Sequence, residues 1–147
     1  MTTATRKTTD EADIRRVIDA GAGALRAKDA AGVVRHHAPG FVQYSLAPPL
    51  ISTGADAAGL DAWFATWRGG LGYELRDLQV HAAEELGFAY GLVRLSGTKT
   101  DGEAVEVWFR LTLGFRKLGR DWKLVHEHES VPFYMDGSYK AAVDLKP

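Results

Sequence analysis

No cysteine occurs among the 147 residues, which excludes disulfides, Cys-ligated zinc and thiol nucleophiles together. An excess of charge of either sign is also missing. Eighteen Lys and Arg offset 19 Asp and Glu, for a formal net charge of -1, so neither nucleic acid nor an anionic membrane has an electrostatic reason to bind. No apolar run approaches the ~20 residues a bilayer span requires. The Thr-rich opening residues carry no apolar signal core, and a cytoplasmic location is the expectation. No Gly-rich loop leads from a strand into a helix, so no nucleotide cofactor is implied and none of any kind is expected. Repeats, linkers and low-complexity stretches are absent as well. What is there is an ordinary globular composition, 46% hydrophobic and 25% charged, long enough to bury one core. The expected organisation is a flexible N-terminus over residues 1–9 and a single domain over residues 10–147.

Local patterns give the order of elements. Thr8-Thr9-Asp10-Glu11 fits a capping box, and Ile14, Val17, Ile18, Gly21 and Leu25 follow at helical spacing, which predicts a helix from about Asp10 to Lys28. Asp29 caps a short second helix through Val33-Val34, with Pro39-Gly40 as its stop. Phe41 to Ser45 reads as a strand, and Leu50 to Thr53 as a short returning one after Pro48-Pro49. Leu60, Trp63, Phe64 and Trp67 stand at i, i+3, i+4 and i+7 and predict a third helix, stopped by Gly69-Gly70. After Gly72 come only strands, near Tyr73–Ala82, Phe88–Thr100, Ala104–Lys117 and Asp121–Val131. Their short connections suit hairpins and an antiparallel sheet. Helices first and a meander last make an α+β arrangement.

The last two strands carry the most chemistry. Val105, Val107, Phe109, Leu111, Leu113 and Phe115 form one fully apolar side of their strand, expected to face the helices. A two-residue turn at Leu118-Gly119 or Gly119-Arg120 would put Trp122, Leu124, His126 and His128 on that same face, with Arg110 opposite beside Glu127 and Glu129; a three-residue turn would reverse this.

The motif Trp108-x-Arg110-x-Thr112, the turn before Trp122 and His126-x-His128-x-Ser130-x-Pro132 together resemble the SnoaL-like and ketosteroid-isomerase-like bacterial proteins of the nuclear transport factor 2-like superfamily. The similarity covers about residues 10–147, including Leu75-Arg76-Asp77-Leu78 and the closing Asp144-Leu145-Lys146-Pro147. The last two strands also look like the association domain of calcium/calmodulin-dependent protein kinases, which share a Trp followed by His-x-His-x-Ser. The resemblance implies a cone: a curved antiparallel sheet wrapped around N-terminal helices with a central pocket, usually in a dimer. It does not imply one reaction, because the superfamily includes isomerases, cyclases, dehydratases, hydrolases and noncatalytic assembly domains. Where ketosteroid isomerases place a first-strand Asp base, this chain reads Val42-Gln43-Tyr44-Ser45. The absence of a carboxylate there argues against the steroid isomerase mechanism.

His126 and His128 are the candidate general acid and base, since imidazole titrates nearest neutrality, and their alternative role is that of hydrogen-bonded core histidines. Tyr44 is the candidate oxyanion donor. Trp63, Trp67, Tyr90, Phe109, Leu111 and Trp122 are expected to line the pocket, although rings at helical spacing serve equally as core. No metal is expected, because two histidines at i, i+2 lack a recognisable third ligand. Arg110 suits either a substrate carboxylate or an ion pair, and Asp77 a structural carboxylate. The leading function is binding of a small, largely apolar molecule with cofactor-free acid/base chemistry of isomerase, cyclase or lyase type. The alternative is a noncatalytic ligand-binding or oligomerisation domain. A homodimer through the outer sheet face around Trp108 and Arg110 is the expected assembly.

Overall fold

The computed structural model describes residues 2–147. Helix α1, Thr3–Arg26, begins at an N-cap on Thr2, whose side chain accepts from the Thr5 amide. The segment expected to be loose, residues 1–9, is therefore helical from Thr3, and α1 starts a full two turns ahead of the Thr8-Thr9-Asp10-Glu11 signal. Asp10, Ile14, Ile18 and Ala22, four apart, form its buried stripe. Asp29 caps α2, Ala30–Val34, and Asp56 caps α3, Ala57–Phe64, each accepting from an amide three residues on. The strands are β1 His37–Tyr44, β2 Ser52–Thr53, β3 Trp67–Ala83, β4 Leu86–Lys99, β5 Ala104–Leu118 and β6 Asp121–Ser130.

Two further boundaries differ from the local reading. Trp67 opens β3 instead of closing α3, and Pro39-Gly40 lies within β1, where the register against β6 slips between His37 and Val42. Gly40 takes a positive φ of 76° there, so the Pro-Gly pair bends a strand.

The strands form one open, curved sheet in the order β2-β1-β6-β5-β4-β3. Neighbours are antiparallel except β1 and β6, which run parallel, as their connection through most of the chain allows. The inner face carries Val80, Ala89, Val93, Phe109, Leu111, Leu113, Phe115 and Trp122 against Ile14, Ile18, Phe64 and Trp67. Asp10, 3% exposed, accepts from Lys117 Nζ at 2.9 Å and Trp122 Nε1 at 3.4 Å, which ties α1 to the last hairpin through a buried ion pair. Along the free edge of β3, Lys28, Arg26 and Arg15 donate to the carbonyls of Trp67, Tyr73 and Leu78, and Glu11 accepts from the Ala82 amide. Side chains of α1 and of the turn after it thus cover an edge that would otherwise be open to pairing.

Candidate functional site

The hairpin joining β5 to β6 turns on Gly119-Arg120, and its first pairs, Leu118 with Asp121, Lys117 with Trp122 and Phe115 with Leu124, follow the register of a two-residue turn. Val125 then has no partner. Gly114 pairs with His126, so from this bulge onward the faces of β6 are exchanged. Glu127 and Glu129 pair with the buried Leu113 and Leu111 and point inward, while His126 and His128 pair with Gly114 and Thr112 on the outer face. The expectation that both histidines share the inner face with Trp122 and Leu124 is corrected by one residue. Arg110 stays on the outer face as expected, but its partners change: its Nε donates to Ser130 Oγ at 3.0 Å instead of meeting the two glutamates. The available signal was Gly114, an isolated glycine in an otherwise apolar strand, the usual mark of a bulge. A Cβ there would meet the nearest atom at an ordinary 3.6 Å, so the glycine marks the bulge without being forced by it.

Two carboxyl groups consequently share the inner face near Tyr73. Gln43 of β1, brought beside Glu127 by the parallel pairing, donates from Nε2 to Glu127 Oε2 at 2.6 Å. Glu129 accepts from the Leu46 backbone amide. Burial pushes the Glu127 carboxyl up to about 7, partly offset by the Gln43 hydrogen bond. Burial and then the nearby Glu127 charge push Glu129 up to about 8, against the opposing Leu46 hydrogen bond. The two titrate as a pair that retains a proton near neutrality. Burial, followed by both glutamates, raises the Tyr73 phenol well above its ordinary value, so Tyr73 stays a neutral hydroxyl. A protonated carboxyl beside an ionised one can donate to an oxygen and accept from carbon or water within one site.

Glu129 also borders an open cleft of about 800 Å³, whose other walls are Tyr44, Ser45, the apolar run Leu46 to Ile51 and His128. Of the expected catalytic residues, Tyr44 and His128 therefore stand at this cleft. Their ring centroids are 5.2 Å apart, and Tyr44 also meets His126 edge-on at 4.7 Å. His126 Nδ1 lies 2.8 Å from the Val42 carbonyl oxygen, which can only accept, so Nδ1 carries the hydrogen. Trp67, Phe109, Leu111 and Trp122 are buried in the core, Trp63 packs half-buried against it, and none of the five lines this cleft. Tyr90 is on the outer face of β4, stacked with His81 and Phe88. Asp77 occupies a bulge in β3 with φ of 54°, exposed, its carboxylate 3.9 Å from Arg76 Nε. Glu127, Glu129, Gln43, Tyr73 and the 45–51 loop were not legible as a site. Among the described residues no group of three or more His, Asp or Glu side chains converges as metal ligands would.

Comparison with known proteins agrees with this architecture. Residues 14–134 match the family model for the SnoaL-like domain. An NTF2-like protein of unknown function from Pseudomonas putida KT2440 is 34% identical, with a TM-score of 0.85 over 95% of this chain and 98% of that one. A Streptomyces avermitilis protein of the NTF2-like family, provisionally named a dehydratase, is 15% identical, with a TM-score of 0.74 over 84% of this chain and 97% of that one. The association domain of Caenorhabditis elegans CaMKII is 18% identical, with a TM-score of 0.64 over 85% and 98% of the two chains. The last two likenesses concern the fold alone. No curated protein matches the sequence. With a family model spanning most of its length and a close structural relative covering nearly all of it, the chain belongs to the SnoaL-like family of the nuclear transport factor 2-like superfamily.

Proposed function

We propose that the protein binds a small, largely apolar molecule in the cleft between the 45–51 loop and β6, and moves a proton on it without a cofactor. The observation that carries this reading is Glu129, a carboxyl that burial keeps protonated near neutrality, bordering a cleft otherwise walled mainly by Leu46 to Ile51. In its protonated form Glu129 donates to a carbonyl or hydroxyl oxygen of the substrate. As Glu129 gives up its proton it takes on the negative charge, and Glu127, held by Gln43 and ionised until then, accepts the proton lost from the substrate, so the pair keeps one proton throughout. His128 and Tyr44 at the rim contribute a second donor and acceptor toward bulk water. Such chemistry serves isomerase, cyclase and lyase reactions alike, and the dehydratase name of the Streptomyces relative belongs to the last of these classes.

Proton transfer to carbon can be tested before the substrate is known. In D2O, a panel of small cyclic enones and β-hydroxy ketones should acquire deuterium beside the carbonyl faster with protein than with buffer alone. Glu129→Gln should slow this by about 10²-fold or more, the usual scale for losing a general acid or base, with melting still cooperative. Wild-type protein that exchanges none of the panel, or a Glu129→Gln variant as fast as wild type, would sink the proposal. Loss of exchange in His128→Gln alone would move the proton carrier to the rim.

A further inference from the structure

A second cleft, of about 440 Å³, opens elsewhere on the molecule, where α1, the end of α2 and the β5–β6 turn meet. Arg16, Arg35, Arg120 and Lys123 stand around it, against Asp13 and Asp121. This is a local cationic excess on a chain whose net charge is -1. Asp13 is already engaged by Arg16. Among the described residues neither Arg35 nor Arg120 forms an ion pair.

The walls are fixed in place. Lys123 Nζ donates to the Arg35 carbonyl oxygen at 3.0 Å, and the Leu124 amide donates to the His36 carbonyl oxygen at 2.7 Å, so residues 35–36 are stapled to β6. Lys123 is thereby held at the cleft although no carboxylate neutralises it. The imidazole of His36, which also borders the cleft, reports the resulting field. Burial lowers its pKa first, then Lys123 and Arg35, and Asp121 opposes them least. The charged groups around it are Asp13 and Arg16 from α1, Arg35 beside it, and Arg120, Asp121 and Lys123 from the turn and β6.

Two guanidinium groups without acidic partners, in a concave site with an anchored ammonium, match the planar, multidentate demands of a phosphoryl group better than those of a halide. A concave surface with an excess of one sign of charge raises the local concentration of anions. We propose that this cleft is a binding site for a small phosphate-type dianion, either inorganic phosphate or the phosphoryl group of a small organic phosphate, held by Arg35 and Arg120 with Lys123. This site shares no residue with the Glu129 cleft, so it stands or falls independently of the activity proposed there.

Sulfate, inorganic phosphate and phenyl phosphate should each be titrated into the intact protein while the His36 ring resonances are followed by NMR, with chloride at matched ionic strength as the control. The dianions should shift His36 saturably where chloride does not. Sulfate, which gains no proton in this range, should bind more tightly as pH falls and should raise the His36 titration midpoint. Arg35→Ala and Arg120→Ala, both at exposed positions, should each weaken sulfate binding about tenfold, the scale of one charge-assisted hydrogen-bonding group, with an unchanged melting temperature. Tighter binding of phenyl phosphate than of phosphate would assign the cleft to a phosphorylated organic molecule, and equal binding to the free ion. Sulfate that acts no differently from chloride, or binding that survives both substitutions, would overturn the proposal.

Discussion

Glu127 and Glu129 make the stability of the protein depend on pH in a direction opposite to that of ordinary surface carboxylates. Their folded-state pKa values lie above the ordinary value of 4.5, so the folded protein binds more protons than the unfolded chain between that value and about 7 and about 8. Their contribution is present in full below the ordinary carboxylate range and is lost as pH rises through the raised values. His36 and His37 act the other way. Burial lowers both, His37 to about 4, so the unfolded chain holds more protons and their contribution grows with pH until 6.5, then stays level. The window above 6.5 therefore isolates the glutamates. Chemical denaturation should show stability falling from pH 6.5 to about pH 9, and the double variant Glu127→Gln/Glu129→Gln should flatten that fall. A slope of the same size in the double variant, or stability that rises across the window, would remove the carboxyl pair from the inner face.

At the scale of elements, curvature comes from bulges placed opposite glycines. The two residues Asp77-Leu78 of β3 stand against Gly91 alone, and Gly69 to Leu71 against Gly97. A Cβ on Gly91 would lie 3.0 Å from the Arg76 carbonyl oxygen and 3.2 Å from Leu78 Cα, both backbone atoms that cannot rotate away. Gly91→Ala should therefore destabilise by about 1–3 kcal/mol, the range for overfilling a packed site. Gly21 of α1, where an added Cβ meets nothing within 4 Å, should behave oppositely, with Gly21→Ala stabilising by roughly 0.5–1 kcal/mol through helix propensity. Paired denaturation curves would decide this, and equal effects of the two substitutions would contradict the close approach at β3. Long strands and their hairpin turns were readable because alternation and turn chemistry are local. The bulges were marked only by isolated glycines such as Gly114, because an extra residue is specified by how far the sheet must bend around α1.

At the scale of the whole molecule, the outer sheet face leaves apolar rings open to solvent. His81, Phe88 and Tyr90 stack there with centroids 4.9 to 6.2 Å apart, while Phe88 and Tyr90 remain 49% and 46% exposed and Leu86 57%. Three apolar side chains half open to water on one strand, with Trp108 further along the same face opposite Arg94, favour a second copy of the chain as their cover. This gives the assembly reading its support without excluding proton-transfer chemistry at the cleft. Sedimentation at micromolar concentration should give a dimer, and Phe88→Lys/Tyr90→Lys should give a folded monomer. A wild-type monomer, or a charged variant that still dimerises, would rule this face out.

The sequence by itself determined the α+β order, the Asp29 cap of α2, a tight turn around Gly119 and the apolar face of β5, all features set within a few residues of chain. It also carried the family, through motifs in β5 and β6. Tertiary structure decided which side of β6 meets the interior, because the Val125 bulge overrides an alternation that local sequence would continue. It decided too that β1 lies parallel to β6, which sets Gln43 on Glu127 across 84 residues and folds the 45–51 loop over Glu129. A carboxyl's burial and partners are properties of that nonlocal packing, so two glutamates that read as outer-face partners of Arg110 become the proton-holding pair at the site.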